Sequence, residues 1–256
     1  MSDDITRDQR ASANELHSRR TLLSRSAVGL AAVAGAGTLA GPALANSSGK
    51  QWWHKSGSHF DFDFIVTQEQ FGVTFLTEAV RRAPGTPSAQ FLPVLEAANT
   101  TEFDHVTALE GIGAKPLTTS YWIPDAAFGA GGAGLFASIE AVETIEFSMY
   151  LIGVDDATRR SQKPTARLCA EAMATESEHR VLARFAQGAL GATIGVPNNI
   201  SFAPFSHPTM AAVKAALEAL GIGYGRKGAG PGKFYDYPGD PVANGTGSVQ
   251  DVRTPS

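Results

Sequence analysis

Apolar residues recur at helical spacing along four long stretches of the chain and a shorter fifth. Asp61 or Asp63 can cap a first helix, and Phe62, Ile65, Val73, Leu76 and Val80 form its apolar stripe. It runs to about Arg82, where Ala83-Pro84-Gly85 stops it. A second stretch runs from Ser88 to Leu109 with Phe91, Leu95, Ala98, Val106 and Leu109 on one face. Pro93 sits in its early turns, and Gly111 and Gly113 close it. The third helix spans about Gly134 to Leu151, its face set by Phe136, Ile139, Phe147, Tyr150 and Val154, with Gly153 and Asp155 ending it. Pro164 opens a fourth, which runs to Gln187 before Gly188 and Gly191; Cys169, Ala172, Ala183 and Leu190 mark its inner side. Thr209 caps a short fifth helix ending at Gly221.

No stretch alternates like a strand over a useful length. The tail, residues 223–256, is rich in Gly and Pro; it reads as irregular, packed in part through Phe234, Tyr235 and Tyr237 and loose beyond Asn244. The second and third helices are joined by the long connection 114–132, whereas the first and second, and the third and fourth, are joined by short ones. Only helices joined by a short loop must be antiparallel neighbours, so the pattern predicts an all-α four-helix bundle with one long crossover.

Within the apolar stripes stand residues that do not belong there. At 100° per residue, Glu69 lies in the middle of the first stripe, four after Ile65 and four before Val73, while Glu78 points elsewhere. Glu102 lies in line with the second buried face, and His105 follows one turn on, about 60° to the side. On the third helix Glu143 is four from both Ile139 and Phe147, with Glu140 and Glu146 on opposite shoulders. Glu176 is central to the fourth, followed by His179. A bare carboxylate in an apolar interior costs several kcal/mol, and four close together repel one another. Such groups protonate or find cations. Two divalent metals would neutralise four carboxylates and take the two imidazoles as nitrogen ligands; Glu on two helices with Glu-x-x-His on the other two is the ligand set of di-iron and di-manganese carboxylate bundles.

Ahead of these helices the chain changes character. Residues 1–25 are polar and carry five arginines, Ser26 to Ala40 is uncharged, and Ala43-Leu44-Ala45 is a small-residue cleavage signal. Ser18-Arg19-Arg20-Thr21-Leu22-Leu23 resembles the twin-arginine export motif. Residues 1–45 are therefore expected to be a signal peptide read by the twin-arginine translocation machinery. The organisation that follows is a polar lead-in (46–60, with Trp52 and Trp53), the bundle with its fifth helix (61–222) and the tail (223–256). The product is expected to be periplasmic or extracellular, without a membrane span.

The whole chain of 256 residues carries 21 basic and 25 acidic side chains, net −4. That excludes a basic field for nucleic acid as its main theme. The single cysteine, Cys169, excludes an internal disulfide framework and any cysteine-built metal cluster.

Several stretches resemble the ferritin-like superfamily, and more closely its exported members related to desiccation-associated proteins. These are Glu69-Gln70-Phe71 with Phe75-Leu76, the run Glu102-Phe103-Asp104-His105-Val106-Thr107-Ala108-Leu109, and Val142-Glu143 leading to Tyr150. Glu176-Ser177-Glu178-His179 with Arg184 and Gly188, and Asn199-Ile200-Ser201-Phe202-Ala203-Pro204, complete the set. The likeness spans about residues 61–220. It implies two iron ions, manganese being the alternative, held by Glu69, Glu102, His105, Glu143, Glu176 and His179. Glu69 with His105 and Glu143 with His179 would each serve one metal, and Glu102 and Glu176 would bridge.

The resemblance further implies an oxidoreductase acting on O2, peroxide or ferrous iron, as a monomer or small homo-oligomer. The alternatives are a manganese catalase-like dismutation of peroxide and a non-enzymatic stress or desiccation protein of the envelope with a structural di-metal site. No second carboxylate cluster suggests a mineral nucleation surface, which argues against an iron-storage cage, and no CxxC pair suggests a rubredoxin-like domain. Tyr150, about 10 Å up the face from Glu143 by helical rise, reads as a core residue or an oxidisable neighbour of the site. Cys169 reads as a small buried thiol, His54 and His59 as solvated, and His207 as a loop residue.

Overall fold

Four long helices form the body of the described residues: α1 (Phe60–Arg82), α2 (Leu92–Gly111), α3 (Ala133–Arg159) and α4 (Lys163–Ala189). This computed structural model describes residues 60–194, 202, 205–251 and 253–255. The expected leader, Trp52, Trp53, His54, His59 and nearly all of the 199–204 segment lie outside the described residues. α1 packs on α2 and α3 on α4, while α1 also meets α3 and α2 meets α4. One apolar core runs between them, from Phe62 and Ile65 through Leu95, Phe136 and Met149 to Ala183. The arrangement is compatible with a helical bundle in which the connection from α2 to α3 crosses over.

Helix boundaries follow local chemistry, and some depart from expectation. Asp63 is not a cap; it lies inside α1 and accepts the Lys115 N–H at 2.8 Å, holding the crossover to the bundle. The second helix does not begin at Ser88. Residues Pro87–Phe91 form a 3₁₀ turn, since Pro93 lacks the N–H that would continue an α-ladder back to Ala89; Leu92 N–H bonds Ala89 instead. Gly113, at φ 97°, closes α2 as expected: Gly113 N–H bonds Glu110 and Ala114 N–H bonds Leu109.

The third helix does not end near Gly153 but runs to Arg159. Gly153 is where α3 comes closest to its neighbours, since a Cβ there would stand 3.0 Å from Cys169 Sγ and 3.1 Å from Ile65 Cδ1. The true stop is Ser161, in the left-handed region at φ 60°, with Ser161 N–H on Thr158 and Gln162 N–H on Ala157. Thr209 caps α5 (Met210–Ala219), accepting the Ala212 N–H at 3.2 Å.

The expectation of a purely helical chain is corrected by a small antiparallel sheet. β1 (Ser120–Pro124) lies in the crossover, flanked by β2 (Gly223–Tyr224) and β3 (Gly232–Asp236) from the tail. Tyr121 faces Tyr224 on one side and Tyr235 on the other. Strands of two to five residues are too short to show alternation, and β1 is buried almost throughout. The sheet covers the outer side of α1, with Phe71 edge-on to Tyr121 at 5.9 Å between ring centres.

Nor is the tail loose beyond Asn244. Thr246 is buried, with its carbonyl and hydroxyl accepting from Asn99 Nδ2 at 3.0 and 3.1 Å. Ser248 N–H bonds Thr100 Oγ1 at 3.0 Å, and Arg253 grips the Asp104 carboxylate at 2.7–3.0 Å. The tail is strapped along α2.

Candidate metal centre

Every long helix places a glutamate of the sequence pattern in the bundle interior: Glu69 from α1, Glu102 from α2, Glu143 from α3 and Glu176 from α4, all buried. His105 stands one turn beyond Glu102 and His179 one turn beyond Glu176, the i+3 neighbours that share a helix face. The six side chains form two groups. Glu69, Glu102, His105 and Glu176 place one donor atom each within 4.8 Å of one another, as do Glu102, Glu143, Glu176 and His179. Glu102 and Glu176 belong to both.

The contacts run through the imidazoles. His105 Nδ1 lies 3.2 Å from Glu69 Oε2 and 2.9 Å from Glu176 Oε1. His179 Nδ1 lies 3.0 Å from Glu176, 3.2 Å from Glu102 and 3.6 Å from Glu143. Each Nδ1 thus faces several carboxylate oxygens, so one nitrogen cannot satisfy them all. Burial, followed by the charges of Glu176 and Glu69, raises the Glu102 carboxyl well above its ordinary value. Burial and then Glu146 and Glu176 raise Glu143 in the same way. Burial would raise Glu176 too, but the two imidazoles outweigh it and hold this carboxylate below its ordinary range. For His105 and His179 burial favours the neutral ring, yet the surrounding carboxylates win and raise both.

A fifth carboxyl, Glu146, completes the cluster. The helical angle places it on a shoulder of α3, but it is as buried as the other four. Gln68 of α1 donates to its Oε1 at 2.8 Å, and the Tyr224 hydroxyl from β2 donates in turn to Gln68 Oε1. Burial, with Glu176 and Glu69 nearby, pushes Glu146 up to about 8. The one signal in the sequence was its position three residues after Glu143; Gln68 and Tyr224 could not be found from spacing, since one is a neutral residue and the other comes from the tail. Glu140, the opposite shoulder, is spent elsewhere, accepting from Arg184 Nε at 2.9 Å and Gln187 Nε2 at 2.6 Å and joining α3 to α4. Glu78 pairs with Arg81, away from the cluster.

The residues fit divalent cations. Five carboxyls outnumber the two imidazoles that could pair with them, and Glu102 Oε2 and Glu143 Oε2 are buried without a hydrogen-bond partner. Gly72 leaves the space that one of these oxygens occupies: a Cβ there would stand 2.6 Å from Glu102 Oε2. Mixed carboxylate and imidazole donors suit iron, manganese or zinc and leave the identity of the ion open.

The remaining residues singled out from the sequence are also located. Tyr150 is fully buried, and its hydroxyl donates to Glu69 Oε1 at 2.7 Å, so it touches the cluster as well as the core. Cys169 is a buried free thiol, as expected. His207 lies in the loop before α5, its backbone N–H bonded to Ser148 Oγ. Comparison of the chain with protein-family models, with curated proteins and with solved structures gives no match.

Proposed function

We propose that this chain is an exported ferritin-like protein that holds two metal ions, iron or manganese, between its four helices and acts as an oxidoreductase on O2, peroxide or ferrous iron. One observation carries the reading: two four-residue donor groups, drawn from separate helices, overlap in Glu102 and Glu176. That overlap is what a metal pair with two bridging carboxylates requires. Glu69 and His105 would complete one side, Glu143 and His179 the other.

Held there, such a metal pair would supply the redox chemistry toward O2 or peroxide. The chain's own residues do the rest. Glu102 and Glu176, which belong to both donor groups, would be shared by the two ions. Burial would keep the site dry, so each carboxylate would act on a bound ion at low dielectric. Glu146, held by Gln68, keeps a further carboxyl beside Glu143, where it can take up or release a proton as charge at the centre changes. Tyr150 orients Glu69.

The twin-arginine leader supports this reading, because a protein exported folded can take up its metal beforehand. Replacing Arg19 and Arg20 by Lys should hold the precursor in the cytoplasm, which fractionation would show.

The deciding measurement is elemental analysis of the exported protein beside a Glu102→Ala/Glu176→Ala variant. About two irons per chain, lost in the variant, is the expected result, followed by O2 and peroxide consumption by the iron form. Two manganese ions would redirect the assay to peroxide dismutation. Full metal without turnover would leave a bracing role for the ions. No metal above the variant's level would overturn the proposal.

A further inference from the structure

A narrow apolar pocket opens between α2 and α4 and leads toward the metal centre. Val94 and Ala98 of α2 face Leu182 and Ala183 of α4 across it. Leu182 is 42% exposed, which puts it at the outer end, whereas His179, 7% exposed, lines the inner end. Among the described residues, His179 is the only polar side chain along the wall. A second small space adjoins the cluster, bounded by Gly72, Glu102, Glu143 and Glu146. Leu76 and Ile139 line both, so the two spaces meet across this pair of side chains. Each has room for a molecule about the size of water.

We propose that this pocket is the path by which dioxygen reaches the centre, past Leu76 and Ile139 into the space beside Glu102 and Glu143. The inference rests on the di-metal reading above and narrows it to a substrate. The lining decides which molecule passes. A hydrated cation would have to shed its water against hydrocarbon that offers no donor in return, a cost of many kcal/mol. Hydrogen peroxide would give up its hydrogen bonds to water and find only His179. Dioxygen is apolar and forms no hydrogen bond worth keeping. Apolar spaces of this kind stay dry and take up small apolar gases. Cations must arrive by a different way, so filling this pocket separates oxidant access from metal loading.

The test uses xenon as an apolar gas probe, together with stopped-flow oxidation. Crystals of the unaltered protein pressurised with xenon should show the gas between Ala98 and Ala183, and crystals of Ala98→Leu should not. Protein loaded anaerobically with ferrous iron and mixed with O2 should oxidise at least tenfold more slowly in Ala98→Leu. Its iron content and its rate of oxidation by hydrogen peroxide should match the unaltered protein. An unchanged O2 rate, or xenon absent from the pocket of the unaltered protein, would overturn the proposal. So would an equal loss of the O2 and peroxide rates, because that marks a disturbed centre and not a blocked path. Failure of both proteins to bind iron would sink the metal reading first and this inference with it, whereas iron bound with an unchanged O2 rate would sink this inference alone.

Discussion

Tyr150 on α3 donates its hydroxyl to Glu69 on α1 at 2.7 Å, and its ring stands edge-on to the His105 imidazole at 6.1 Å. Burial, reinforced by the Glu69 charge, raises the phenol well above its ordinary value, so it stays a donor at any physiological pH. One hydrogen bond therefore fixes a cluster carboxylate from the opposite helix pair. Tyr150→Phe keeps the ring and loses the bond. Metal affinity should fall by about 10-fold to 100-fold, the usual effect of removing a partner from a metal-ligating group. A competition titration with a chelator reads this, and an unchanged affinity would reduce Tyr150 to core filling.

Gly72→Ala sets two effects against each other. Alanine favours the helix by about 1 kcal/mol over glycine. Its methyl, however, would stand 2.6 Å from Glu102 Oε2, the end of a movable side chain. The helix content should survive while Glu102 is displaced, so circular dichroism should be unchanged and metal content should drop. Retention of full metal would mean that Glu102 has room to swing aside.

The metal-free protein should become less stable as pH rises from about 5 to 8. Glu146 titrates at about 8, Glu102 and Glu143 are raised, and so are His105 and His179. In this window the native state binds more protons than the unfolded chain, which makes the slope of stability against pH negative. Glu176, held below its ordinary value, is ionised throughout and adds nothing. Melting of chelator-treated protein at pH 5 and pH 8 checks the sign. Added metal should stabilise more at pH 8, because its ligands must be deprotonated.

The tail should matter to stability. Asn99→Ala removes a buried amide that donates to Thr77 and to both oxygens of Thr246. It should cost about 1–3 kcal/mol, since the Thr246 carbonyl is left without its buried donor, whereas the Thr246 hydroxyl keeps Thr77 and Asn244 as partners. Urea unfolding reads the loss directly. A change below about 0.5 kcal/mol would show that the strap along α2 is not held by this contact.

Cys169 should resist thiol reagents in the native protein. It is fully buried, and burial, helped by the Glu69 and Asp156 charges, pushes its thiol up to about 12. Labelling should proceed only after unfolding, at a rate that tracks denaturant. Prompt labelling at neutral pH would mean that α4 opens locally at this point.

Much of the candidate site was legible because a glutamate in a hydrophobic stripe contradicts its surroundings. Helical periodicity converts Glu69, Glu102, Glu143 and Glu176 into directions, and the i+3 spacing carries His105 and His179 to the same side. Glu146 escaped that reading because a shoulder position is exposed or buried according to the neighbour laid over it, and here Gln68 and the β2 tyrosine cover it. The strands escaped because five residues or fewer carry no period. The end of α3 escaped because Ser161 occupies the left-handed position that usually announces itself as glycine.

Local pattern was thus enough for the four helices, their inward carboxylates and the crossover between two hairpins, since each depends on interactions within a few turns of chain. Long-range partners settled the remainder. The Tyr150–Glu69 bond, the Tyr224–Gln68–Glu146 chain and the strap on α2 join residues 78 to 156 positions apart, and the sheet joins the crossover to the tail. Such contacts leave no periodic trace, because they depend on which surfaces meet after the helices have packed.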